Sequence, residues 1–325
     1  MRGSLRVSIL SFVIFGASLP VPAARDPQSP ASPIALSRAE TSVAARFILE
    51  RTLKVPVEPI RGLAFGGDHP KLAALADDDK VRVLNAATGE LLHAIALSDH
   101  PKSVTCLAFN SDGKWIAVGE GFSKPGVFTG KIEVLDAGAG QAVRALAAHH
   151  WEVESLAFSR DGRWLVSSNW DGRVRVVEFP SGKQIREFAS ASKPAYAAVS
   201  PDSKLVASGG SDAMVTLWDC ATGKVIRRLF GHNRAISAIT FSPDGHELVS
   251  ASADGSARLW SVVTGRLLGT LSGHVGPVNS ALYSPDGRFV FSGDDDGTVR
   301  FWDAATGQNL ETLGAHSSVW QLTLS

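Results

Sequence analysis

Cysteine is nearly absent: the 325-residue chain has two, so neither a disulfide framework nor a C-x-x-C zinc pair or C-x-x-C-H haem site organises it. An excess of either charge is missing too. Lys plus Arg and Asp plus Glu number 32 each, which removes the phosphate-neutralising surplus expected of a nucleic-acid binder. The chain also lacks a phosphate-binding glycine loop, an H-E-x-x-H helix and a G-x-S-x-G nucleophile elbow. Apolar runs are short as well. The stretch from Val7 to Leu19 has thirteen residues, too few to span a bilayer comfortably. With Arg2 and Arg6 ahead of it and Val21-Pro22-Ala23 behind, it reads as a cleaved secretory signal, residues 1–23, with a mature chain starting at Ala24 or Arg25. The expectation is an exported protein, periplasmic or secreted, with no stable membrane insertion after cleavage. Residues 24–46, with Pro27, Pro30 and Pro33 among small polar residues, read as a flexible leader.

What the chain does have is a repeat. From residue 60 onward an aromatic or aliphatic residue recurs just before a polar turn: Phe65, Phe109, Phe158, Val199, Phe241, Tyr283 and Leu324, spaced 44, 49, 41, 42, 42 and 41 apart. Six units fit and a seventh is begun. A period of this size is the signature of a four-stranded propeller blade. The fifth unit shows the grammar. Ile236 to Phe241 reads as a first strand, ended by Ser242-Pro243-Asp244-Gly245, where Pro presets φ and Gly accepts a positive one. Leu248 to Ser252 then turns at Ala253-Asp254-Gly255 into Ala257 to Trp260, and a fourth strand follows Thr264-Gly265. No ten-residue run of helical period interrupts the units, so the segment reads as all-β.

Gly231-His232 before the first strand, Ser-Pro-Asp-Gly after it, Asp254 in the second hairpin and Trp260 closing the third strand resemble the WD-repeat β-propeller signature. Trp218-Asp219 and Trp302-Asp303 carry its name-giving dipeptide. The resemblance covers residues 47–325 and, beside the N-terminal segment, suggests an exported propeller of bacterial type. It implies a β-propeller of four-stranded antiparallel blades, with six complete repeats and an incomplete seventh blade. It also implies, inside each blade, a buried chain of Trp, Ser or Thr, His and Asp. The fifth unit fits with Trp260, Ser250, His232 and Asp254, and the sixth with Trp302, Ser292, His274 and Asp296. Such a network is stable only when every member has its partner. Unit 3 keeps His149, Ser167 and Asp171 but has Val177 in the Trp slot; unit 4 keeps Ser208, Asp212 and Trp218 but has Ser190 in the His slot. Leu84 and Leu135 replace Trp in units 1 and 2, which rely on apolar packing. The His-Ser-Asp sets invite a catalytic-triad reading, and their recurrence blade after blade argues for a structural one.

Departures from the repeat point to function. Unit 2 is about seven residues longer than its fellows, and the excess falls in its second hairpin, around Phe122, Lys124 and Phe128. Trp151 in the connection into unit 3 and Trp170 before Asp171 belong to the same face. In WD-repeat proteins that face holds partner peptides, and exposed aromatics are the usual interface anchors. The expected function is a non-enzymatic scaffold that binds a protein or peptide there; the alternative is a ligand-binding or enzymatic propeller using the central channel. No cofactor and no metal are expected. The aspartate runs at 77–79 and 294–296 fall in hairpin turns, Ser111-Asp-Gly-Lys114 is a turn that matches S-x-x-K by chance, and His150 beside His149 has no third ligand. Cys106 and Cys220 lie two units apart, beyond bridging distance, as a buried and a partly exposed thiol. Phe47 to Leu53 resembles a fourth strand, so with Val319 to Leu324 as a first strand the seventh blade lacks its middle pair. Unpaired strand edges there favour self-association.

Overall fold

The Ser-x-Asp turns are closed hydrogen-bond loops that set the strand register. In the structure, a computed structural model, the hydroxyls of Ser159, Ser200, Ser242 and Ser284 donate to the Asp carboxylate two residues on, at 2.5 to 2.6 Å. Each also accepts the amide five residues on, at 2.9 to 3.0 Å. The residue after the Asp must take a positive φ, and Gly162, Gly245 and Gly287 do so at 69° to 73°. Blade 4 puts Ser203 in that place at φ 60°, where a Cβ is penalised. Ser203→Gly is therefore expected to raise stability by about 0.5 to 1 kcal/mol, read as a higher urea midpoint with an unchanged slope.

The structure describes residues 13–14 and, apart from 67–70, 77, 98–102, 125–126, 170, 190–194, 315–317 and 320, residues 60–324. Most of the signal segment, the leader, the closing strand Phe47 to Leu53, Ser190 and Trp170 fall outside the described residues.

Six four-stranded antiparallel sheets, each paired in simple chain order, form a propeller ring. Blade 1 is Ile60–Phe65, Lys71–Ala76, Lys80–Asn85 and Leu91–Ala96. Blade 5 is Ile236–Phe241, Glu247–Ser252, Ser256–Ser261 and Leu267–Ser272. Blade 6 runs from Val278–Tyr283 to Asn309–Gly314 in the same way. Among the described residues there is no helix. Burial follows position in the blade. The second strands read as continuous buried runs, Leu72 to Ala76 and Leu248 to Ser252 among them, because neighbouring blades cover both of their faces. The outer strands are largely exposed and in blade 6 alternate.

Most of the core clusters lie between blades, and one, with Leu63, Leu72 and Leu84, lies within blade 1. One cluster joins Leu75 and Val81 of blade 1 to Leu107 and Ile116 of blade 2; another joins Leu259 and Leu271 of blade 5 to Tyr283 and Val290 of blade 6. Inner strands are also tied by hydroxyls: Thr240 donates to the Ala281 carbonyl at 3.0 Å and Ser237 to that of Val278. Leu84 and Leu135, in the Trp slots of blades 1 and 2, are buried. The thiols are not quite as expected. Both are free, but Cys220 is the buried one, packed with Phe188 and Trp218, while Cys106 is half-buried and donates to the Val153 carbonyl. Burial pushes the Cys106 thiol up to about 12, so it is unreactive at neutral pH.

Between blades 6 and 1 the described residues form no seventh four-stranded sheet. Of the expected first strand, Thr323–Leu324 is extended, and it pairs in parallel with Val13–Ile14 in a sheet of its own. Removing residues 1–23 as a signal would take that strand away and leave the six blades intact. The segment before it closes the ring. Val319 packs where a Cβ on Gly293 would stand, as Val153 does at Gly119 and Ile236 at Gly209. Gln321 then accepts the Leu63 amide and donates to the Leu63 carbonyl, both at 3.0 Å.

Candidate functional site

The polar interiors of the blades come first, because they decide which residues are available for chemistry. In blade 5 the Trp260 indole donates to Ser250 Oγ at 2.8 Å, and Ser250 Oγ meets His232 Nε2 at 2.8 Å. His232 Nδ1 meets Asp254 Oδ2 at 2.8 Å, and the amide of Asn233 and the hydroxyl of Ser256 complete the carboxylate. The spacing explains the assembly. His and Ser are 18 residues apart and Ser and Trp 10, which puts Ser and Trp on the adjacent second and third strands and His in the connection that enters the blade. The same intervals recur between His274, Ser292 and Trp302 in blade 6, between His149 and Ser167 in blade 3, and between Ser208 and Trp218 in blade 4.

Blade 6 corrects the expected fourth member. His274 Nδ1 faces Asp294 Oδ2 at 2.8 Å and Thr298 Oγ1 at 3.0 Å, while Asp296 is exposed. The position of Asp294 is held in blade 5 by Ser252, whose hydroxyl donates to the Arg234 carbonyl. With an aspartate there, two carboxylates compete for one imidazole, and the one already buried on the second strand takes it. In blade 3 the chain is loose: His149 Nδ1 stands 3.8 Å from Asp171 Oδ2. Burial lowers the pKa of His232 and of His274, and takes His149 down to about 4. These imidazoles are neutral at pH 7 and shut inside the sheets, so they are structural.

The face carrying the second hairpins and the connections between blades is where the aromatic residues gather. Blade 2 differs from expectation in how it uses its extra residues. They do not form a loop but lengthen two strands, Trp115–Lys124 and Val127–Asp136, which stay in register out to Lys124 opposite Val127. Six-residue strands elsewhere make this a projecting hairpin. Phe122, Lys124 and Phe128 lie on its outer part, with side chains outside the described residues. Trp151 is at its root: a Cβ on Gly130 would strike the Trp151 carbonyl, and the Trp151 side chain is 44% exposed. The structure thus joins Trp151 to the hairpin, while Trp170 lies outside the described residues. Phe230, 71% exposed, and Val275, 90% exposed, stand on the same face beside Gly231 and His274. Sequence reasoning passed over both, although each is an apolar residue in a connection that carries no strand pairing.

The channel offers different chemistry. A cavity of about 550 Å³ is lined by the inner strands, with Ser155, Thr240, Ser242, Ser284 and Gln321 as polar groups. Tyr283, its one ionisable lining residue, donates its hydroxyl to Glu247. Among the described residues no three His, Cys, Asp or Glu side chains converge as a metal site.

Fold and interior together define a repeat propeller in which blades 5 and 6 are each knitted by a Trp-Ser-His-Asp chain and blades 3 and 4 keep part of it. Five stretches, residues 89–124, 140–178, 182–219, 223–261 and 265–303, match the WD domain, G-beta repeat family, and they cover more than half of the chain. The protein belongs to the WD-repeat family. Each match from residue 140 onward runs from the outer-strand region of one blade through the third strand of the next, so every sequence repeat staples two blades together.

Proposed function

We propose that the protein is a non-enzymatic interaction scaffold that holds a protein or peptide partner on the face bearing the blade 2 hairpin. WD repeats commonly mediate protein–protein interactions, and the observation that carries the reading to this face is the projecting hairpin with Trp151 half-exposed at its root. A hydrogen-bonded strand pair beside an exposed indole supplies contact area, which is what an interface anchor needs. The uncharged lining of the inner-strand cavity and the burial of His149, His232 and His274 favour this over the channel-based alternative. An exported location is part of the proposal and rests on Arg2, Arg6 and the Val7 to Leu19 stretch.

The test is capture of partners from the exported fraction with parent and Trp151→Ala baits. The variant is expected to lose about 1 to 3 kcal/mol of affinity for the captured chain, with its thermal midpoint nearly unchanged. A large loss of stability with unaltered affinity would show that Trp151 is a packing residue.

A further inference from the structure

The outer rim carries a second feature, away from the loop face. In blade 4 the outer strand, Val225–Leu229, pairs only with Val215–Asp219, so its other backbone edge is open. Lys224, Ile226, Arg227 and Arg228 are all exposed along it. The equivalent arginines of the preceding blades are buttresses. Arg144 of blade 2 donates to the Pro180 and Ser181 carbonyls in the turn of blade 3, and Arg186 of blade 3 donates to the Ala221 carbonyl in the turn of blade 4. Arg227 reaches the corresponding turn of blade 5, where its Cδ lies against Gly265. Its guanidinium takes no carbonyl there. Among the described residues neither Arg227, Arg228 nor Lys224 has a side-chain hydrogen bond or ion pair, and Val225–Leu229 and Leu267–Ser272 next to it contain no acid. By contrast, Glu187 on the blade 3 edge is held by Arg173 and Arg175.

We propose that the outer strand of blade 4 is a docking edge for an extended protein segment that carries two consecutive acidic residues between apolar ones. The pattern follows from the strand. Successive side chains point to opposite faces, so Arg227 and Arg228 flank the edge on its two sides. A strand added to that edge faces them with two adjacent residues, which must both be acidic for each guanidinium to be paired. Its apolar neighbours then fall opposite Ile226, 44% exposed, and Leu229 at the end of the strand. Main-chain bonds along the open edge supply affinity, and the paired charges supply register and choice of partner. A membrane surface offers the charge but cannot pair with a backbone edge.

A capped, fluorescent Thr-Val-Glu-Glu-Val-Thr peptide, titrated by anisotropy against the whole chain, tests this. Expected are saturable binding that weakens with salt, no binding of the Lys-Lys counterpart, and loss by about tenfold or more in Arg227→Ala/Arg228→Ala. N-methylation of the peptide backbone should abolish binding, because it blocks the edge. Thermal midpoints of parent and variant check that the fold is kept, and Arg228→Ala alone serves if the double variant unfolds. Equal binding by parent and variant would overturn the proposal. So would binding that survives N-methylation, binding only to vesicles containing phosphatidylserine, or a variant that aggregates without any effect on the peptide, which would mean that the arginines merely guard the edge. Trp151→Ala leaves this binding untouched, so the rim and the loop face fail or succeed separately.

Discussion

His232→Ala lowers the unfolding free energy by about 2 to 4 kcal/mol. The imidazole bridges two buried groups, Ser250 Oγ and Asp254 Oδ2, each at 2.8 Å. Without it the Ser250 hydroxyl keeps only the Trp260 indole, and the Asp254 carboxylate, whose side chain is 4% exposed, loses a charge-assisted partner. A buried carboxylate stripped of one partner costs more than an exposed pair returns. Asp254→Ala has a similar effect from the other end. Blade 6 supplies the internal control, because Asp294→Ala should destabilise and Asp296→Ala should stay within about 0.5 kcal/mol of the parent. Denaturant midpoints decide both points. Equal midpoints for His232→Ala and parent would remove the network from the account of stability.

Acid should unfold the protein through the same histidines. An unfolded imidazole takes up a proton near its ordinary 6.5, whereas burial, aided by Arg175, holds His149 down to about 4 and burial also lowers His232 and His274. In that window the unfolded state binds more protons, so stability is full above 6.5 and falls as pH falls. At one pKa unit per 1.36 kcal/mol, His149 alone contributes a loss of about 3 kcal/mol by pH 4. Glu120 works against this slope. Burial, with Glu133 beside it, pushes its carboxyl up to about 8, so its penalty grows as pH rises from 4.5 to 8. The Glu120 shift is larger than that of His149 alone, so the net loss on the acid side rests on His232 and His274 adding to His149. Thermal midpoints between pH 7 and 4.5 should fall, and less steeply in His149→Gln. Equal slopes in parent and His149→Gln would contradict the neutral, buried state of that ring.

The blades were legible because their information is local. Ser242-Pro243-Asp244-Gly245 and the 18- and 10-residue intervals of blade 5 each name a turn or a contact within one sheet, and the structure has them there. Competition between neighbours was not legible. Three consecutive aspartates offer three candidates for His274, and only the packing around Asp294 chooses. The added residues of blade 2 read as a loop, since nothing in Phe122 to Phe128 alternates strongly enough to declare a strand, and cross-strand pairing from Phe122 opposite Thr129 to Lys124 opposite Val127 made them one. Glu120 was hidden for a related reason. Its position, shared by Asn169 and Ser252, is fully buried in each blade, but a lone glutamate in a hairpin reads as solvated. Free and engaged arginines, too, look alike in a sequence: Arg144, Arg186 and Arg227 differ only in what the next blade's turn accepts.

The two hydrogen bonds between Gln321 and Leu63 join residues 258 apart in the chain. Loop-closure entropy grows only with the logarithm of length, so joining these ends costs roughly 2 kcal/mol more than joining neighbouring blades 42 residues apart. That contact is therefore affordable only after the blades exist, and it is the natural last step of assembly. It is also the natural first step of opening. A fluctuation that releases Gln321 turns the ring into an open chain of stapled blades without breaking any blade, so the Leu63 amide should exchange with solvent sooner than the inner-strand amides of blade 5.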